Sequence, residues 1–249
     1  MSTDSAIDWP KGYDRVRYQE LDSTNAHARR LAEKGAPGPV WISAARQTAG
    51  RGRRGQAWNS TEGDLAVTLL MRPQIPPAVI GQLSFVAALA SAETASHFAP
   101  AAAITVKWPN DILAEGRKLA GILLEGGKDA IGSWLAIGIG MNLVNFPQGT
   151  EFPATCLVQL GVTPPTTQHA LTVLASRFAH WYDGWMKDGF ALVRTAWLAR
   201  ASGLGLPIRA RLAGQEVHTG VFEGIDESGA LLLNQETGVR SIAAAEVFF

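Results

Sequence analysis

The stretch AITVKWPNDILAEGRKLAGILLEG, residues 103–126, decides the fold class. Apolar, β-forming runs flank "AEGR", which is a turn signal, so the stretch predicts two paired strands. The segment SWLAIGIGMNL, residues 133–143, predicts a further strand that pairs with them. Proline cannot donate to a strand ladder, so Pro109 predicts a jog or bulge in the first strand. An antiparallel hairpin series is therefore expected at the centre of the protein.

Helical patterns and further strands lie on both sides of this series. Residues 21–35 predict a helix that Asp22, Ser23 or Thr24 begins and Gly35 ends. Residues 39–48 and 64–73 predict strands, residues 77–98 a long buried helix, and residues 166–200 two helices broken near Asp188. The chain is expected to be α+β, with a mixed, largely antiparallel sheet flanked by helices.

The sequence pattern changes in the C-terminal residues. From Leu206 onward, short β runs alternate with the turn signals "AGQ", "ESG" and "ETG". This pattern predicts a small β-barrel or sandwich. We therefore expect two domains, residues 1–203 and residues 204–249.

Composition excludes several classes of protein. Lys+Arg and Asp+Glu both number 22, so no overall charge attracts nucleic acid or a membrane. The single cysteine, Cys156, excludes an intrachain disulfide and favours a reducing cytoplasm. The N-terminal residues lack the apolar core of a signal peptide, and no uninterrupted apolar run approaches about 18 residues. We expect a cytoplasmic protein that binds neither membrane nor nucleic acid.

The segment GRGRRGQAW, residues 50–58, concentrates arginine and glycine between two predicted strands. Glycine permits positive φ and a close approach to a ligand, and arginine suits carboxylate and phosphate. Three interpretations stay open from these residues alone: a solvated turn, a nucleic-acid contact, or a loop that closes over a small anion. The Walker motif is absent, and "GIGMNL" lacks the later glycine of a dinucleotide fingerprint.

Three further motifs carry polar groups, and each has two interpretations. Asn110 and Asp111 favour either an ordinary turn or a pair that faces phosphates and Mg²⁺. Lys118 is either an exposed strand-end lysine or an ammonium that points into a cleft. In "DSTN", the hydroxyls either cap the helix or bind a polar head group as well. No His/Cys pattern indicates zinc, and no nucleophile elbow is present.

Taken together, "DSTN", "QTAGRGRRGQAW", "KWPND", "KLAGIL" and "GIGMNL" resemble the biotin–protein ligases, also called biotin–[acetyl-CoA-carboxylase] ligases. The resemblance runs from about Tyr18 to the C-terminus. It implies a class II synthetase-like catalytic domain followed by an SH3-like β-barrel. It also implies that biotin and ATP form biotinyl-5′-AMP and pyrophosphate, and that biotin then passes to a lysine of a carrier domain.

The resemblance assigns roles residue by residue. It implies that Lys118 and Arg53 are catalytic and that Asp111 binds Mg²⁺. The implied biotin-binding residues are Ser23, Thr24, Asn25, Gln47, Arg51, Gly52, Arg53, Lys118 and Gly121. The implied ATP-binding residues are Arg53, Trp58, Asn110, Asp111 and Lys118.

The resemblance also implies a partner, the biotin carboxyl carrier protein of acetyl-CoA carboxylase or of a similar enzyme, and it is compatible with a homodimer. "DSTN" begins only about twenty residues into the chain, so we expect the monofunctional kind, which has no DNA-reading module. Two alternatives stay open: a lipoate–protein ligase or octanoyltransferase, and a nucleotide- or DNA-binding regulator without turnover.

Overall fold

A seven-stranded mixed sheet forms the centre of the protein in the computed structural model, which describes residues 7–249. Its strands are β1 (Asp14–Leu21), β2 (Val40–Gln47), β3 (Leu65–Met71), β4 (Ile104–Lys107), β5 (Asp111–Ala114), β6 (Arg117–Asp129) and β7 (Gly132–Met141). The spatial order is β1-β2-β3-β7-β6-β5-β4, and β1 with β2 is the parallel pair while the other neighbours are antiparallel. The predicted fold class is confirmed.

The first strand is an element that the sequence analysis did not predict. Strand β1 is largely exposed and polar, with the sequence DRVRYQEL, so its apolar alternation is weak. It lies at an edge of the sheet and pairs with β2 in parallel, with Asp14 opposite Val40. Tertiary pairing with a buried neighbour, and not local pattern, therefore makes this segment a strand.

The prediction of a strand that jogs at Pro109 was wrong. Strands β4 and β5 are two antiparallel partners, with Lys107 opposite Asp111, and Pro109 lies in the turn between them. A turn position needs no backbone donor, so proline fits there without a bulge. Of the pair with two interpretations, Asn110 lies in this turn and Asp111 begins β5, so the turn places both at an end of the sheet and their proposed role toward phosphates stays a prediction.

Among residues 7–249 the α-helices are α1 (Thr24–Glu33), α2 (Leu83–Phe98), α3 (Thr167–Asp188) and α4 (Phe190–Leu198). The first three contact strands of the large sheet, and α4 packs on α2 and α3. The predicted break between the last two falls at Gly189, whose φ is 75°. The stretch Pro77–Phe98 is long and apolar enough to cross a membrane, but 67% of its most apolar window is buried inside the protein. Helix α2 packs against α3 and the sheet, which explains an apolar surface all round.

A second sheet follows the helices. Its strands are β8 (Pro207–Arg211), β9 (Val217–Ile225), β10 (Leu231–Gln235), β11 (Gly238–Ile242) and β12 (Glu246–Phe248), in the antiparallel order β11-β10-β9-β8-β12. The indole Nε1 of Trp108 donates to Gly229 O at 3.0 Å, so the β4–β5 turn is joined to this module. The predicted β module is confirmed, and the boundary at residue 203 stays a prediction.

Candidate active site

A cavity of about 470 Å³ opens between the large sheet, the loop at 50–58 and the last strand, β12. Every residue that the sequence analysis placed at a site lines it: Ser23, Thr24, Asn25, Gln47, Arg51, Gly52, Arg53, Trp58, Asn110, Asp111, Lys118 and Gly121. Motifs that lie far apart in the sequence therefore meet in a single cavity. Their individual roles stay predictions.

One end of the cavity is formed by the start of helix α1. Ser23 caps the helix and its side chain accepts from Ala26 N at 3.4 Å. Thr24 donates twice to the side-chain oxygen of Gln47, from its backbone N at 2.8 Å and from Oγ1 at 3.1 Å. Both interpretations of "DSTN" are thus compatible with the structure, because the cap also places a set of buried polar groups on the cavity wall.

Asn25 has both ends of its amide engaged by the protein. Thr68, a buried hydroxyl of β3, donates to Asn25 Oδ1 at 2.6 Å. The Asn25 Nδ2 donates to Glu125 Oε2 at 2.8 Å and to Leu123 O at 3.4 Å. A side chain at Gly138 would collide with this amide, so glycine there makes room for it. The geometry favours a positioning role for Asn25 over direct ligand contact.

Three arginines of the loop have three separate partners. Arg51 Nη2 lies 3.4 Å from Glu125 Oε2, Arg53 Nη1 donates to Asn110 Oδ1 at 3.3 Å, and Arg54 Nη1 lies 3.7 Å from Glu246 Oε2. The partners belong to β6, the β4–β5 turn and β12. The loop is therefore closed over the cavity by contacts to both sheets, which answers why a neutral protein carries this basic run.

The glycines of the loop serve different purposes. Positive φ occurs at Gly55 (75°) and at the non-glycine Arg54 (53°), whereas Gly52 has φ −106°. A side chain at Gly50 would collide with the carbonyl of Trp58 and approach Gln47. The expected use of positive φ thus applies to Gly55 alone, and Gly50 is needed for close backbone packing.

Lys118 faces the middle of the cavity. Its Nζ lies 2.6 Å from Asp111 Oδ1 and 5.8 Å from the centroid of the Trp58 ring. The Trp58 indole lies over the cross-strand pair Gly121 and Gly140, where a side chain on either glycine would press on it. The glycines of the motifs "KLAG" and "GIGMN" therefore leave room for the indole and the ammonium against the sheet.

Asp111 is the acidic group that fits the predicted Mg²⁺. Its Oδ1 is buried and accepts no hydrogen bond of good geometry, although the Lys118 ammonium is adjacent. Among residues 7–249, no group of three or more His, Cys, Asp or Glu could enclose a metal. Mg²⁺ commonly uses one or two carboxylates together with substrate phosphates. The site thus fits an ion that arrives with a polyphosphate.

Lys107 is a cavity residue that the sequence analysis missed. The residue is 6% exposed, and burial lowers the pKa of its ammonium to about 8. Burial likewise lowers the pKa of Arg53, with the neighbouring Arg54 adding to the effect. A lone lysine at the end of an apolar strand was the available signal. Glu125 and Glu246, the partners of the loop arginines, were missed too, because a contact between residues distant in the sequence gives no local sequence pattern.

A second cavity of about 370 Å³ borders the first. Arg53, Trp108, Pro109 and Asn110 line both cavities. The second is completed by residues of the C-terminal module: Ser228, Gly229, Ala230 and Ala243. The second space therefore adjoins the first where the β4–β5 turn meets the C-terminal module.

Comparisons with known proteins show the family to which the chain belongs. Residues 17–142 match the biotin/lipoate A/B protein ligase family, and residues 203–249 match the biotin protein ligase C-terminal domain. A biotin–[acetyl-CoA-carboxylase] ligase of Paracoccus denitrificans is 47% identical over 241 residues, which cover 92% of this chain and 97% of that protein. The chain belongs to the biotin/lipoate A/B protein ligase family.

Other relatives extend the family likeness. A bifunctional ligase/repressor of Bacillus subtilis is 33% identical over 95% of this chain and 74% of its own length. A solved biotin protein ligase of Aquifex aeolicus, in complex with biotin and ATP, superposes with a TM-score of 0.81 at 27% identity. It covers 94% of this chain and 97% of its own. The two-sheet architecture of the site is therefore that of the biotin protein ligases.

Proposed function

We propose that this chain is an ATP-dependent biotin–protein ligase, which activates biotin as biotinyl-5′-AMP and transfers it to a lysine of a biotin-carrying protein. The observation that carries the proposal is the shared cavity, in which Arg51, Arg53 and Lys118 surround a space closed at one end by Thr24 and Gln47. The family match and the biotin-specific C-terminal match support the same activity.

The first half-reaction brings two anions together. A carboxylate oxygen of biotin attacks the α-phosphorus of ATP, and the bond from that phosphorus to the oxygen bridging the β-phosphorus breaks, with pyrophosphate leaving. Fixed cations in a water-poor site stabilise the charge that develops on the phosphoryl oxygens. Lys118 and Arg53 are positioned to do so, and a Mg²⁺ held by Asp111 would supply further charge to the phosphates.

The second half-reaction needs no protein nucleophile. The neutral amine of a carrier lysine attacks the carbonyl carbon of the mixed anhydride, an amide forms, and AMP leaves with the electron pair of the broken bond. The one cysteine, Cys156, is buried and its thiol donates to Val144 O at 3.1 Å, so it is a packing residue. The loop, closed by its arginines, shields the adenylate from water in the interval.

A pyrophosphate-release assay tests the activity. Biotin with ATP should release pyrophosphate, and lipoate with ATP should not, because the polar end at Thr24 and Gln47 suits the ureido group of biotin. Labelled biotin should then enter a carrier domain. Release driven by lipoate would indicate the lipoate ligase alternative, and ligand binding without release would indicate a regulator without turnover.

We further propose that the carrier is that of acetyl-CoA carboxylase and that the enzyme works in the cytoplasm. The name of the Paracoccus relative supports the first part, and the single, buried Cys156 supports the second. A homodimer through the large sheet is also proposed, because among residues 7–249 β1 is an edge strand with one unpaired side. Light scattering after gel filtration tests it, and a monomeric mass at micromolar concentration would contradict it.

A further inference from the structure

Lys107 is a cation of the cavity that the mechanism above does not use. It is the last residue of β4, lies opposite Asp111 in the β4–β5 hairpin, and lines the cavity. With 6% of the residue exposed, its aliphatic stem and ammonium are almost wholly removed from water. Burying an ammonium costs free energy unless a partner compensates for lost hydration.

The immediate partners of this ammonium are aromatic rings. Its Nζ lies 3.6 Å from the centroid of Phe152, 5.7 Å from that of Phe248 and 5.8 Å from that of Phe249. Ring faces attract a cation but accept hydrogen bonds only weakly. Phe152, together with the last residues of the C-terminal module, thus holds the Lys107 side chain in place and leaves its N–H donors available.

Two other cations of the cavity, Lys118 and Arg51, have the carboxylates of Asp111 and Glu125 within 4.0 Å. Arg53 contacts the side-chain oxygen of Asn110 instead, and among the described residues Lys107 has neither kind of partner. Within the part of the chain that the structure describes, no carboxylate lies within that distance of Lys107 Nζ. The charged groups near it are Asp111, Lys118, Glu246 and Glu151, which act at longer range. A buried cation that lines a cavity and has no carboxylate partner from the protein indicates that the cavity binds an anionic ligand.

The position of Lys107 relative to Lys118 indicates which anion of the reaction Lys107 would contact. Lys118 N donates to Pro153 O at 2.8 Å, so the segment that carries Phe152 runs beside Lys118. The head-group end at Thr24 and Gln47 belongs to helix α1 and β2, whereas Lys107 belongs to the β4–β5 hairpin and is covered by β12. In the proposed function the head group of biotin lies at the first end, so the group that departs from the α-phosphorus is expected toward the second.

We propose that Lys107 is a catalytic residue that binds the leaving pyrophosphate of the adenylation step. As the bond between the α-phosphorus and its bridging oxygen breaks, the electron pair stays on that oxygen, and the Lys107 ammonium donates hydrogen bonds to the pyrophosphate so formed. No proton need be transferred. This inference rests on the proposed function and adds to it a residue specific to the first half-reaction.

Biotin-dependent exchange of labelled pyrophosphate into ATP tests the role, with Lys107→Met, Lys107→Arg and the exposed Lys128→Met as a control outside the cavity. Loss of one preorganised cation should slow exchange by about 100-fold in Lys107→Met and raise the KM for pyrophosphate. Transfer from preformed biotinyl-5′-AMP to a carrier domain should stay unchanged, because no pyrophosphate takes part. Lys107→Arg should regain most of the exchange. Equal loss in both half-reactions, or none in exchange, would overturn the proposal.

Competition labelling of the unmodified protein gives a measurement that does not depend on folding of a variant. Trace acetic anhydride followed by mass spectrometry should show that inorganic pyrophosphate protects Lys107, while biotin alone does not and Lys128 is unaffected. Equal labelling of Lys107 with and without pyrophosphate would contradict the inference. If the unmodified protein shows no biotin-dependent exchange at all, the proposed function itself fails, and the labelling still decides whether Lys107 binds pyrophosphate.

Discussion

Lys118 is paired with a carboxylate in the structure, and in the proposed mechanism it stabilises the reacting anions. In the structure its ammonium is held by Asp111 at 2.6 Å and lies beside the Trp58 ring. Because this group faces the point where the two anions meet, its contribution belongs to the transition state more than to the binding of biotin alone. The effect of removing it should therefore appear in the rate of adenylation.

Lys118→Ala should lower the rate of adenylate formation by about 100- to 1,000-fold, as is typical when one preorganised donor is removed. Biotin binding, measured by calorimetry, should stay detectable because the Thr24 and Gln47 end is intact. Lys128→Ala, an exposed position on the same strand, is the control. A normal rate of pyrophosphate release in Lys118→Ala would rule out the assigned role.

Gly138 tests the importance of the Asn25 amide. In Gly138→Ala the new methyl group would collide with Asn25 Oδ1 and displace it from Thr68 and Glu125. Loss of buried hydrogen bonds of this kind costs about 1–3 kcal/mol, so biotin should bind about tenfold more weakly. Gly214→Ala, where a methyl group meets no atom within 4 Å, should bind biotin normally. Unchanged binding in Gly138→Ala would show that the amide does not shape the cavity.

The loop at residues 50–58 shows what local sequence can and cannot predict. Its glycines and arginines left three interpretations open, among them a loop that closes over an anion, and the structure places the segment over the cavity. The sequence could not identify Glu125 and Glu246 as its anchors, because they lie about 70 and 190 residues away and only the fold brings them together. Its closure depends on the whole fold.

Glu125→Gln should loosen the loop at the Arg51 anchor. The pair is partly exposed, so its contribution is up to about 1 kcal/mol and the adenylate should dissociate up to about fivefold faster. Limited proteolysis with trypsin should cut the loop more readily in this variant. Glu216→Gln is the control, since that carboxylate contacts His218 on the C-terminal module. A loop equally resistant in Glu125→Gln would show that Arg51 needs no carboxylate.

At the scale of the whole molecule, the two sheets meet at the site. Elements such as α2 and β3 were predictable because each is a clearly bounded apolar run, long in the helix and short in the strand. Strand β1 and the turn at Pro109 were not, because an exposed edge strand and a hairpin turn depend on their partners. The second cavity could not be predicted from the sequence either, since it is lined jointly by Gly229 and Ala230 of the C-terminal module and by Asn110 of the large sheet.

Trp108→Phe tests whether the C-terminal module supports the β4–β5 turn. The change removes the indole donor and leaves the buried Gly229 carbonyl without it, which should lower the free energy of unfolding by about 1–3 kcal/mol. The KM for ATP should rise as well, because the turn carries Asn110. Trp9→Phe removes a similar bond, to Tyr13 O at 2.7 Å, from a residue that lines neither cavity. Chemical denaturation and steady-state kinetics would contradict this prediction if both variants behaved alike.

The pairing of Lys118, Arg51 and Arg54 with Asp111, Glu125 and Glu246 has a consequence for the resting enzyme. Each carboxylate serves as a resident counter-ion, so stray phosphate or sulfate meets three cations that are already paired, and only Arg53 and Lys107 line the cavity without a carboxylate within 4.0 Å in the described part of the chain. A substrate must displace several of these carboxylates together. A small anion that displaces only one of them gains little binding free energy. Selectivity against the abundant small anions of the cell is thus built into the resting state, before any reaction begins.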